Sequence, residues 1–228
     1  MPGWLWWLVP GIPVVVIALP ILAVGLTGGG YYTIPSGSML PALPIGSAFL
    51  AMPVEQGGLP QRGQIVVFEH PQRPQVDFIK RVIGLPGDSV AVRDGVVWLN
   101  GQAVAQEPMP DFVQVSTDAQ FVPRDNCART PGEQTITCTF QQQREALPGG
   151  YSYPVLNIGP TAADSFPETT IPNNHVFGMG DHRDNALDSR FPQVGMIPVE
   201  NLKFRAWRFW LNLQRPLDNW DRLGSRVQ

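Results

Sequence analysis

Few groups in this chain can do covalent chemistry, and their types narrow what that chemistry is. Ser36 and Ser38 stand either side of one glycine in Ile34-Pro35-Ser36-Gly37-Ser38-Met39-Leu40-Pro41-Ala42-Leu43, a small, apolar, turn-forming run. A serine hydroxyl becomes a nucleophile only when a neighbouring base takes its proton. The chain has two lysines, Lys80 and Lys203, against fourteen arginines (16 Lys+Arg less 2). Arginine does not give up its proton in a protein, so a lysine among apolar residues is the informative cation. Lys80 sits in Asp77-Phe78-Ile79-Lys80-Arg81-Val82-Ile83. On a strand, Phe78, Lys80 and Val82 share one face and Ile79, Arg81 and Ile83 the other. An ammonium between two apolar side chains is poorly solvated, which lowers its pKa and makes a neutral general base available near pH 7. The competing reading is an edge-strand lysine whose amine snorkels to water. Of the histidines, His70 lies in a Pro-flanked turn and His175 opens a strand, while His182 stands beside carboxylates in Gly180-Asp181-His182-Arg183-Asp184. A histidine base therefore stays open as an alternative, since sequence order does not exclude a spatial triad.

The elements that must position these groups read as short strands. Gly46–Met52 is a strand, and Gly63–Phe68 is a buried one, rich in β-branched residues. Val76–Ile83 carries Lys80 and closes at the turn Gly84-Leu85-Pro86-Gly87-Asp88. Ser89–Arg93 and Val96–Leu99 form a hairpin, because Asp94-Gly95 supplies the positive φ of a type I′ turn. From Asn100 to Asn174 the composition shifts to Pro, Gln, Thr and Asn, which reads as an inserted β-rich lobe. His175–Gly180 returns to strand pattern, followed by a polar run to Arg190. Phe204–Leu213 mixes aromatics with arginines and reads equally as a last core strand or helix, or as a segment at a membrane interface. No internal repeat is found.

Gly 23 and Pro 24 without a period, beside 43% hydrophobic residues, fit many turns and short strands rather than collagen or disorder. A net charge of −3 with 15% charged residues gives no basic footprint, so nucleic acid is excluded as a partner. Trp4–Leu26 contains no charge over its twenty-three residues. At roughly 1.5 Å per residue it spans about 35 Å, enough to cross a hydrocarbon core of roughly 30 Å once. Trp4, Trp6 and Trp7 at one end and Tyr31 and Tyr32 beyond the other resemble aromatic belts. A cleaved secretion signal is the competing reading, weakened by the missing basic n-region and the length of the apolar run. With only two cysteines, Cys127 and Cys138, and no histidine at ligand spacing, zinc is not expected. In an oxidising compartment the two would pair as a disulfide; two free thiols are the alternative.

Four segments together resemble the boxes of type I signal peptidases in order and type: Pro35-Ser36-Gly37-Ser38-Met39-Leu40-Pro41, Gly63–Phe68, Phe78-Ile79-Lys80-Arg81-Val82-Ile83-Gly84-Leu85-Pro86-Gly87-Asp88, and Gly178–Arg190. The resemblance implies a mainly β, membrane-anchored Ser/Lys-dyad endopeptidase that cuts signal peptides from exported preproteins. It makes Ser38, the serine before methionine, the nucleophile, and Lys80 the general base. Ser36 lends its hydroxyl to the oxyanion hole beside the Ser38 N–H. Gly180, Asp188, Ser189 and Arg190 support the lysine and the local fold. The shallow apolar substrate pockets fall on Ile34, Pro35, Met39, Leu43, Phe78 and Ile79, whose other reading is ordinary core packing. The implied organisation is a signal-peptidase-like β catalytic domain (31–99 and 175–213), an inserted lobe (100–174), one N-terminal transmembrane helix with its Gly-rich joint (1–30) and a C-terminal tail (214–228).

Two positions depart from the pattern. Ala186 stands where the family often has a serine whose hydroxyl bonds the lysine, so a water, Ser189 or a backbone carbonyl must orient Lys80 instead. Gln64 stands where an aspartate is common. The expected partners are signal peptides ending in Ala-x-Ala-type sites and a lipid bilayer, the inner membrane of a bacterium with the catalytic part on its outer side. The protein is expected to act as a monomer without cofactor or metal. Two rivals remain open: a specialised relative that processes one pilin or conjugation protein, and an anchored β domain that only binds. A self-cleaving cytosolic Ser/Lys repressor is disfavoured by the apolar segment.

Overall fold

The computed structural model describes residues 22, 24–55, 57–116, 127–129, 135–212 and 222–227. The span expected over Trp4–Leu26 therefore lies almost wholly outside the described residues, among which no helix is long and apolar enough to cross a membrane. The described chain is mainly β. In order it forms β1 (Gly30–Thr33), β2 (Ser47–Pro53), β3 (Ile65–Glu69), β4 (Asp77–Gly84), β5 (Ser89–Arg93), β6 (Val96–Leu99), β7 (Gln102–Ala103) and β8 (Ala105–Ser116). It continues with β9 (Cys127–Arg129), β10 (Ile136–Leu147), β11 (Tyr151–Asn157), β12 (Phe166–Thr170), β13 (His175–Met179), β14 (Ile197–Pro198) and β15 (Leu202–Asn212). A seven-stranded sheet runs β1-β2-β15-β3-β4-β13-β14, a second sheet runs β11-β10-β8 with β9 also on β10, and a third runs β12-β5-β6-β7.

β3 shows why an unbroken apolar run makes a central strand. Ile65 and Val67 pack into one hydrophobic cluster with Ile34, Met39 and Leu43. Val66 and Phe68 pack into another on the opposite face, with Val82, Val176 and Ile197. Alternation at period two with both faces covered leaves no polar position before Glu69, where the strand ends. β4 alternates in the same way, Phe78 joining one cluster and Ile79 the other. The β5–β6 hairpin turns through Asp94 (φ 50°) and Gly95 (φ 76°), both left-handed as a type I′ turn requires. β15 takes up the C-terminal aromatic segment. It is a strand between β2 and β3, with Phe209 fully buried and Trp207 39% exposed.

Polar groups tie the sheets together. Arg81 on β4 donates two bonds of 2.7 Å to Asp181, and a third to the Gly63 carbonyl at 2.7 Å. Arg183 pairs with Glu145 of β10, which also accepts from Tyr153 Oη at 3.0 Å and Gln106 Nε2 at 3.1 Å. Burial works against the Glu145 charge, but Arg183 outweighs it and holds the carboxyl below its ordinary pKa. Deleting one partner of such a pair strands a buried charge, at a cost of about 3–5 kcal/mol. Cys127 and Cys138 stand opposite each other on β9 and β10 and are joined by a disulfide.

Candidate active site

The two serines lie on the connection between β1 and β2. Gly37–Met39 makes a single 3-10 turn, closed by Leu40 N–H donating to the Gly37 carbonyl at 3.1 Å. Met39, Leu40 and Leu43 are buried, which pins the turn and leaves Ser36 exposed and Ser38 half-exposed. Gly37 sits in a tight space. A Cβ there would meet Leu40 Cδ1 at 3.2 Å and Asn185 Nδ2 at 3.3 Å. Gly180 is tighter still, its Cβ falling 2.2 Å from Ala186 Cβ and 2.7 Å from the Ser38 carbonyl oxygen.

Lys80 enters from β4. Its Nζ is 3.4 Å from Ser38 Oγ, and Ser36 Oγ is likewise 3.4 Å from Ser38 Oγ. The amine also donates to the Ile79 carbonyl at 2.9 Å and stands 5.3 Å from the centre of the Phe78 ring. Burial drives its pKa down to about 8, against the pull of the Asp188 and Asp181 charges and with a smaller push from Arg190. Ser189 Oγ is engaged elsewhere, accepting from the Gly178 N–H at 3.0 Å. A backbone carbonyl, Ile79 O, is bonded to the lysine where the 186 hydroxyl is absent. Asp188 accepts from the Gly180 N–H at 3.0 Å and from Arg190 Nε and Nη2 at 2.9 and 2.8 Å, and so braces the strand end beside Lys80.

The groups border a cleft of about 340 Å³. Ile34, Pro35, Met39, Phe78 and Ile79 line it, with Ser36, Ser38 and Lys80 at its reactive edge. Leu43 does not line the cleft; it is 0% exposed and packs in the core beneath. Asp77, Asn185 and Leu187 also line the cleft and were missed from sequence, although each lies within or beside a recognised box. His182 is buried, and its backbone N–H donates to the Ser38 carbonyl at 3.2 Å. The base whose reactive atom faces Ser38 Oγ is the lysine amine. β4 has a further property: β13 pairs with it only at Arg81, Val82 and Gly84. Val82 bonds across to residues 63 and 64 through both its N–H and its C=O, so alternation turns the Ile79 peptide groups to the opposite, unladdered edge beside the cleft.

A hydroxyl within reach of a buried, weakly basic amine, on a sheet edge open to an extended peptide, is the equipment of a serine endopeptidase. The family model described as "Signal peptidase, peptidase S26" matches residues 4–210. A signal peptidase I of Pseudomonas fluorescens is 32% identical over 219 residues, covering 85% of this chain and 70% of its own. One of Pseudomonas aeruginosa is 29% identical over 221 residues with the same coverage of each chain. A solved signal peptidase I from Enterococcus faecalis V583 is 21% identical with a TM-score of 0.35, over 67% of this chain and 97% of its own. The chain belongs to the signal peptidase family, peptidase S26. It is a serine endopeptidase of signal-peptide processing.

Proposed function

We propose that the protein is a membrane-anchored signal peptidase in which Ser38 is the nucleophile and Lys80 the general base. The observation that carries this is the Lys80 amine, 3.4 Å from Ser38 Oγ and with its pKa lowered to about 8 by burial. Neutral Lys80 takes the hydroxyl proton as Ser38 Oγ bonds to the scissile carbonyl carbon. The oxyanion is held by the Ser38 N–H and the Ser36 hydroxyl; losing one such donor costs about 10²–10³ in rate. The protonated Lys80 gives its proton to the leaving amine, and the amine, neutral again, activates water to release the acyl-enzyme.

The substrate adds as a strand along the open edge of β4 at Asp77–Lys80, where the main chain supplies affinity and alternate side chains enter the cleft. The small apolar cleft suits Ala-x-Ala ends. Residues 4–26 anchor the chain in the inner membrane of a bacterium, with residues 31–99 and 175–213 as the catalytic domain on the outer side and 100–174 as its inserted lobe. The Cys127–Cys138 disulfide fits an oxidising compartment. The test is cleavage of a preprotein with an Ala-x-Ala site by Ser38→Ala and Lys80→Ala. Each loses about 10⁴-fold or more in kcat, and full activity in either variant sinks the dyad.

A further inference from the structure

We propose that Leu40, Phe140 and His182 are positioning residues for the nucleophile, so that β10 of the second sheet holds Ser38 at the edge of the first; this rests on Ser38 being the nucleophile. The Ser38 turn is anchored on both sides of its side chain. Its own carbonyl accepts from the His182 N–H at 3.2 Å. Two residues on, Leu40 leaves the turn and is buried among Cys138, Phe140 and Leu156. Both anchors lead to one ring. Phe140 is 0% exposed and meets the His182 ring edge-on, centroids 4.9 Å apart.

The run 181–183 that carries His182 is itself clamped by the second sheet. Leu156 N–H donates to the Asp181 carbonyl and Arg183 N–H to the Leu156 carbonyl, both at 2.9 Å, and Arg183 is paired with Glu145 of β10. The register of β10 against β8 shifts between Phe140 and Gln142. The extra residue lies on β8, between Phe112 and Met109, opposite the stretch of β10 just beyond Phe140. The catalytic sheet holds the other flank of the turn, where Met39 packs with Phe49, Ile65 and Val67, so Ser38 sits between a brace from each sheet. The lever is sensitive: a displacement of about 1 Å costs about 10²-fold in rate, and the Ser38–Lys80 contact is already 3.4 Å.

The test uses the full chain in detergent micelles and an Ala-x-Ala peptide, with Tm recorded. Phe140→Ala lowers kcat about 10- to 100-fold, while KM stays within about twofold and the acid limb of the pH profile does not move. Val113→Ala, on the exposed face of the same sheet, leaves kcat unchanged. If Phe140→Ala does not fold, Phe140→Leu keeps apolar volume, drops the ring edge and lowers kcat about three- to tenfold. An unchanged kcat, a rise in KM at constant kcat, a shifted pH limb, or an equal loss in Val113→Ala would each overturn the proposal. Activity in Ser38→Ala would instead remove the nucleophile reading on which it stands, whatever Phe140 does.

Discussion

Lys80 and Lys203, the only two lysines in the sequence, are driven in opposite directions by their surroundings. Lys203 on β15 stands at the protein surface, 2.7 Å from Asp77 and 2.8 Å from Glu69, and those hydrogen bonds raise its pKa. Lys80 on β4 is 4% exposed, bonds a carbonyl and a hydroxyl but no carboxylate, and is lowered to about 8. Its neighbour Arg81 takes the bidentate carboxylate Asp181 instead. The fold thus places its permanent cation in the ion pair and leaves the titratable one unpaired beside the hydroxyl. A base is made by withholding a partner as much as by burial.

Exchanging either lysine for methionine separates the two environments. Lys80→Met abolishes cleavage, by about 10⁴-fold or more in kcat, yet stabilises the fold. A lysine lowered from 10.5 to about 8 costs the folded state about 3 kcal/mol at pH 7. The sign follows from proton counting: between pH 8 and 10.5 the unfolded chain holds a proton that the folded chain has released. Wild-type stability therefore rises with pH across that window relative to Lys80→Met, and the gap closes above it. Urea unfolding of both proteins at pH 7 and pH 10.5 measures this; a methionine variant less stable at pH 7 would contradict the burial argument.

The same value fixes the pH–rate profile. kcat/KM rises about tenfold per pH unit on the acid side and levels near pH 8, where Lys80 becomes neutral. A limb near pH 6.5 would point to a histidine instead. Lys203→Met is the smaller perturbation, because exposed pairs are screened by water: Tm moves by no more than about 3 °C and the limb near pH 8 stays in place. A displaced limb would mean that the Asp77–Lys203 pair at the mouth of the cleft sets the basicity of Lys80.

What was legible in the sequence divides along a physical line. A run of β-branched residues placed β3, period-two alternation placed the apolar neighbours of Lys80 on β4, and Asp94-Gly95 announced its hairpin, because these depend on residues next to one another. Glu145 carried no such signal: its partner Arg183 is 38 residues away, and nothing local distinguishes a buried carboxylate from a solvated one. β15 was ambiguous because a central strand bearing arginines and Trp207 has the composition of an interfacial segment. Leu43 was read as a pocket residue, yet it packs in the core one turn below the cleft. Asn185 and Leu187 stood inside a box recognised for its charged residues and were passed over for that reason.

The smallest effect tests the departure at Ala186. That side chain is 6% exposed and packs where Gly180 passes the Ser38 carbonyl, so a serine there adds one oxygen to a crowded site. Lys80 has three donors when charged, and Ile79 O and Ser38 Oγ take two of them. The serine of the family pattern bonds the lysine, and a hydroxyl at 186 that does the same would offer an acceptor to the third donor. Ala186→Ser should therefore leave kcat equal or raise it by less than about threefold, with the pH limb moving slightly upward because the new bond favours the charged amine. A loss of tenfold or more would show that the carbonyl of Ile79 holds Lys80 in a position the added hydroxyl disturbs, and that this chain orients its base in a way the serine cannot share.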